Sequence, residues 1–160
     1  MAILKSREIA FHYSIIGVKE EEELLFLVAD LGLLEDVSFI PTLSQDEVYK
    51  KMIDSDLLLL PSIEEGIANV CIEAMFCKLL VLSTNCGGME ELIEDGKTGF
   101  LVPTRSPIDI AIKIGKILSL SGDEISLITD AARLKVEKQH NEVKMIADME
   151  SLYIKVYATN

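Results

Sequence analysis

Two short runs, 57–60 and 79–82, are apolar at every position and are closed by polar or turn residues instead of continuing at helical spacing. A strand that is apolar on both sides has water on neither, which is the environment of a parallel sheet covered by helices on both faces. The neighbouring segments supply such helices. A strand is expected over 9–17, rich in β-branched and aromatic residues, and a helix over 20–31, with apolar residues at 24, 25, 28 and 31 behind four glutamates that suit the positive end of its dipole. A strand over 37–41 follows, then a helix opened by Ser44 with Glu47 three residues on as a capping box, and the strand over 56–61. After a loop over 62–67 come a helix over 68–77, a strand over 79–83, the Gly87-Gly88 break, a short helix over 89–93, turn residues 95–99 and a strand over 100–102. Helices over 107–120, 123–139 and 142–157 complete the chain, Gly122 separating the first two. The expected fold is α/β, a doubly wound parallel sheet with a helical C-terminal tail, in which ligands sit beyond the C-terminal ends of the strands.

The 160 residues suit one domain, and a formal charge of −12 would repel nucleic acid. No apolar run approaches the ~20 residues that cross a bilayer, and the first eight residues lack the basic and hydrophobic pattern of a signal peptide. The reading places the chain in the cytoplasm, with any larger enzyme peripheral at the membrane. Cys71, Cys77 and Cys86 have neither CxxC nor Cys/His spacing, so they read as small buried hydrophobes.

The segment from Pro61 to Met75 runs from an apolar strand through a polar glycine loop into a helix, and it holds Glu65 and Glu73 eight residues apart. With the helix starting near Ala68, Glu65 lies in the loop before it and Glu73 on its second turn, roughly 6–8 Å along the axis. The unpaired N–H groups of that helix end suit a phosphate, and Gly66 admits a ligand close to the backbone. Carboxylates accept hydrogen bonds from sugar or ribose hydroxyls, so a phosphate with a polyol on each side, a nucleotide-sugar, fits the pattern. Spacing alone leaves equally open a charged loop followed by a solvated helix face.

Together the motifs resemble the donor-binding, C-terminal domain of the GT-B-fold retaining glycosyltransferases of family 4. The hallmark E-x7-E is matched by Glu65 and Glu73. The likeness continues through 56–62, Glu65-Gly66, Glu73-Ala74-Met75, Gly87-Gly88 with Glu91, Asp95-Gly96, the run 99–102, and a closing helix with Tyr153 and Tyr157. The resemblance implies that Glu73 binds the ribose hydroxyls and that Glu65 contacts the donor sugar near its reacting carbon. The backbone of Gly66, Ile67, Ala68 and Asn69 would meet the sugar and distal phosphate, Gly87 and Gly88 would line the sugar pocket, and main chain near Leu43 would hold the base. It implies donor-face displacement in which the leaving phosphate helps deprotonate the acceptor and Glu65 stabilises without attacking, unlike the facing carboxylates of glycosidases. The nucleotide-diphosphate sugar is a substrate, and neither cofactor nor metal is expected.

The sequence departs from that family at Ala68, Lys78, Leu80 and Glu90, where Pro, Gly, Pro and Pro are common. Lys78 reads as an electrostatic cap of the preceding helix. The family's first strand, with an Arg and a Lys that neutralise the pyrophosphate, and its N-terminal acceptor domain have no counterpart in the 160 residues, and Lys5 and Arg7 stand in other contexts. One donor domain over 1–160 is therefore expected, inactive alone, with apolar surface that could drive self-association. Asp54-Ser55-Asp56 spells a DxD metal signature but precedes a strand, away from the ligand edge, and reads as a turn. His12 falls in a predicted strand and His140 in a polar break that starts a helix. Two alternatives stand beside the transferase: a non-catalytic doubly wound binding or regulatory module, and a GT-B sugar-nucleotide epimerase. Only the first dispenses with the Glu65 and Glu73 pair.

Overall fold

The computed structural model describes residues 1–18, 22–139, 146, 149–151, 153, 154 and 157. Its elements are α1 (Ala2–Ser6), β1 (Tyr13–Ile16), α2 (Glu22–Asp30), β2 (Val37–Ile40), α3 (Gln45–Ile53), β3 (Leu57–Leu60), α4 (Asn69–Phe76), β4 (Leu80–Thr84), α5 (Met89–Leu92), β5 (Phe100–Val102), α6 (Pro107–Leu118) and α7 (Gly122–Gln139). All strand pairs are parallel, β1 with β2 and, separately, β3-β4-β5 with β4 in the centre.

The alternation of side chains along each strand explains the uninterrupted apolar runs. Leu80 and Leu82 of β4 enter one apolar cluster with Leu57, Leu59, Phe100 and Val102, together with Leu4 of α1 and Ala111, Ile114 and Ile117 of α6. Val81 points the other way, into a cluster with Leu58, Leu60 and Leu101 and with Cys71, Ala74 and Met75 of α4 and Ala132 and Val136 of α7. A period of two thus sends successive residues to opposite cores, and the sheet is covered on both faces. Every β4 residue is buried, and each large apolar side chain removed from water there contributes roughly 1.5–3 kcal/mol.

Beyond shifts of one or two residues at element ends, three features differ from the sequence reading. The strand over 9–17 contracts to Tyr13–Ile16, because Ile9 and Phe11 pack on the cluster under α6 and main-chain pairing starts with the Tyr13 N–H donating to the Asp36 carbonyl at 2.8 Å. α1 was not expected; its single buried side chain, Leu4, anchors it in the cluster it shares with α6. Gly122 does not separate two helices but begins α7, since Ser121 caps it, its N–H and Oγ each donating to Glu124 Oε2 at 2.8 Å. Of the helix expected over 142–157, the described residues 146, 149–151, 153, 154 and 157 are helical, and the rest, like His140 and its proposed helix start, lies outside the described residues. No helix among the described residues is long and apolar enough to cross a membrane.

Candidate functional site

The loops after β3 and β4 leave the same end of a parallel strand pair, and β4 fixes the loop that follows β3. Thr84 Oγ1 donates to the Ser62 carbonyl at 2.5 Å and Ser83 Oγ to the Leu60 carbonyl at 3.3 Å, and both hydroxyl residues are buried. These bonds satisfy polar groups that would otherwise be costly at the centre of an apolar strand.

Further along, the two glycines meet the Glu65 loop. Gly87 has φ +53°, and a Cβ built on it would stand 1.6 Å from the Glu65 carbonyl oxygen. A Cβ on Gly88 would stand 2.8 Å from Ile67 Cγ1 and 3.4 Å from the Gly66 carbonyl group. The loop holding Glu65, Gly66 and Ile67 and the loop holding Gly87 and Gly88 are therefore in backbone contact, which two glycines permit and a simple turn would not require.

Glu65 is half-buried. Beside it the Cys71 thiol is pushed up to about 12, by burial first and then by the charges of Glu65 and Cys86. Cys86 in turn lies 3.4 Å from Thr84 Oγ1. Ala68 is buried and precedes α4, whose N-terminus carries no side-chain cap, so its first N–H groups are open to an acceptor; Asn69 and Ile67 are exposed. Glu73, half-buried on α4, accepts a hydrogen bond from Gln45 Nε2 at 3.2 Å, which ties it to the helix that follows the Leu43 loop. That loop is anchored by the expected capping interaction: the Ser44 N–H and Oγ donate to Glu47 Oε2 at 2.8 and 2.6 Å, and these bonds hold the Glu47 carboxyl below its usual range.

The structure thus joins Glu65, Gly66 and Ile67 to Gly87 and Gly88 by direct contact, and Glu73 to the Leu43 region through Gln45. Gln45 and Thr84 escape sequence reading, since neither contact follows a local spacing. Elsewhere, Asp54 is the C-cap of α3 and Ser55 Oγ donates to the Lys51 carbonyl at 2.6 Å, so the DxD segment is a helix-to-strand turn at the opposite end of β3. Among the described residues no three His, Cys, Asp or Glu side chains are grouped to hold a metal. His12 Nε2 lies 2.9 Å from Ser38 Oγ, and Lys5 Nζ bonds Asp36 at 2.6 Å and the Gly32 carbonyl at 2.5 Å. Lys78 stands directly after the C-cap of α4 with φ +59°, and its Nζ pairs with Asp130 at 2.6 Å. An open depression lined by Asn85, Glu90, Asp95 and Pro103 involves neither Glu65 nor Glu73.

Known proteins resemble this chain in sequence and in fold. The profile of the family described as glycosyl transferases group 1 matches residues 1–143. The chain is 33% identical over 156 residues to the protein named as a colanic acid biosynthesis glycosyltransferase, WcaL, of Escherichia coli K12, covering 93% of this chain and 38% of that protein. Among solved structures, a glycosyltransferase from Rickettsia africae superposes with a TM-score of 0.84 at 26% identity, over 99% of this chain and 43% of that one. Anabaena HepE, solved in complex with UDP-glucose, gives a TM-score of 0.78 at 25% identity, over 88% and 40%. The fold is the Rossmann-like α/β arrangement of a GT-B domain, and the chain spans well under half the length of these relatives.

Proposed function

The chain belongs to the glycosyl transferases group 1 family, and from that premise we propose that it is the donor-binding part of a retaining, family 4 enzyme. That enzyme transfers a hexose from a nucleotide-sugar to a glycan or lipid-linked acceptor, at the cytoplasmic side, in polysaccharide biosynthesis. The observation that carries the reading is the backbone contact of the Glu65 loop with Gly87 and Gly88 beyond β3 and β4, next to an uncapped helix that bears Glu73.

Each group has a task there. The Glu73 carboxylate accepts the ribose hydroxyls, and main chain at Leu43 meets the base. The N–H groups at Gly66, Ile67, Ala68 and Asn69 bind the sugar and distal phosphate, where the helix dipole adds to their attraction for an anion. Gly87 and Gly88 let the sugar approach the backbone. In the transfer, the acceptor oxygen bonds to the anomeric carbon on the face from which the phosphate departs, the carbon–phosphate oxygen bond breaks, and the acceptor proton passes to the leaving phosphate. Glu65 stabilises the positive charge that develops on the ring, a contribution of the kind worth ~10²–10³ in rate. The acceptor-binding half and the cations that neutralise the pyrophosphate belong, in this proposal, to a further part of the protein, as the relatives' greater length supports.

Calorimetric titration with UDP-, GDP- and ADP-glucose tests the reading, with wild type beside Glu73→Ala and at high ligand concentration. Saturable binding that falls at least about tenfold in the variant is expected, and HepE, solved with UDP-glucose, makes the uridine nucleotide the first to try. Binding that Glu73→Ala leaves intact would overturn it. In the intact enzyme, Glu65→Gln should lower kcat about 100-fold while nucleotide affinity changes little.

A further inference from the structure

Gln45 stands where the two halves of nucleoside recognition meet. It is the first residue of α3, directly after Ser44, and its Nε2 donates to Glu73 Oε1 at 3.2 Å and to the Tyr49 hydroxyl at 3.0 Å. A primary amide has two N–H bonds, and both are used. The orientation is chemically determined, because turning the amide over would set its oxygen against the carboxylate, acceptor against acceptor.

The start of α3 is itself fixed by the Ser44 and Glu47 bonds, so the amide projects from an anchored position. Among the described residues it is the side-chain hydrogen-bond partner recorded for the Glu73 carboxylate, and it occupies one lone pair of one oxygen. A carboxylate offers about four such sites, so acceptor capacity for two hydroxyls remains. A neutral donor also orders the carboxylate without neutralising it, as a lysine partner would.

Resting on the ribose-binding role proposed for Glu73, we propose that Gln45 is a positioning residue that holds the Glu73 carboxylate ready for the ribose hydroxyls and links it to the base loop. Without that bond the glutamate regains rotamer freedom that ligand binding must then remove. The consequence is specific: the loss appears only for ligands that carry ribose hydroxyls.

The test titrates the chain with UDP, GDP and ADP and with their 2′,3′-dideoxy forms, in wild type, Gln45→Ala, Gln45→Glu, Glu73→Ala and the Gln45→Ala/Glu73→Ala double variant. With the tightest-binding base, Gln45→Ala should weaken the ribonucleotide about 5–20-fold. It should leave the dideoxy form and the melting temperature unchanged, and add nothing on top of Glu73→Ala. Gln45→Glu should weaken the ribonucleotide further than Gln45→Ala, because two carboxylates then face each other. Equal loss for both nucleotide forms, no loss, or an undiminished loss in the Glu73→Ala background would overturn the positioning role while leaving the donor-site reading intact. If Glu73→Ala itself leaves ribonucleotide affinity unchanged, the donor-site reading falls and this role with it.

Discussion

The main chain of Gly87 lies against the carbonyl of Glu65 so closely that a methyl group on the glycine would stand 1.6 Å from that oxygen. Backbone meets backbone there, so nothing can swing aside. Gly87→Ala should therefore cost roughly 2–4 kcal/mol, combining overpacking with the left-handed φ of +53°. Gly88→Ala meets Cγ1 of the partly exposed Ile67 side chain, which can shift where a backbone carbonyl cannot, and should cost under about 1.5 kcal/mol. Urea unfolding of the two variants checks the order, and equal costs would refute the rigid contact.

Lys78 carries a side chain at a left-handed position, φ +59°, where the N–H of Leu79 bonds the Ala74 carbonyl and that of Lys78 the Met75 carbonyl as α4 ends. Glycine is the residue that such a helix ending favours. Lys78→Gly should stabilise the chain by roughly 0.5–1 kcal/mol, because the ion pair with Asp130 is about half exposed at both ends and worth little. The melting temperature should rise by about 2 °C. A fall would show that the ion pair outweighs the backbone strain.

The cysteines make a third case. Cys71 and Cys86 are buried, whereas Cys77 is only partly so, its thiol raised by burial first and the Glu73 charge second, against the lowering effect of Arg133. Native protein at pH 8 should label with maleimide at Cys77 alone, the other two reacting on unfolding. The Cys71 thiol stays protonated in the fold to about 12 while an unfolded thiol ionises near 9. Its contribution to stability is thus complete below about 9 and is lost as pH rises toward 12. Cys71→Ala should flatten the alkaline decline of the urea midpoint, and an unchanged slope would exclude this thiol as its source.

The strands and covering helices were legible because burial on both faces leaves no place for polar residues in runs such as Leu57–Leu60, and Ser44 with Glu47 announced α3 by local chemistry. α1 was not legible: five residues with one buried leucine carry no periodicity. Tyr13–Ile16 was overread because Ile9 and Phe11 are apolar for packing under α6, not for pairing. At the candidate site, the glutamate spacing stood out, while the demand for glycine at 87 did not, since it comes from a carbonyl 22 residues away in sequence. Gln45 was invisible for the same reason, its partner being 28 residues distant.

The division of the strands into β1-β2 and β3-β4-β5 has a mechanical meaning. Among the described residues no ladder hydrogen bond spans the seam, so sheet register does not set the distance between the loop after β2 and the groups on α4, which the Gln45–Glu73 side-chain bond links. Amide protons on the two sides need not exchange as one cooperative unit. Any molecule that touches both loops acts as a staple across that seam, and its binding energy becomes resistance to their separation.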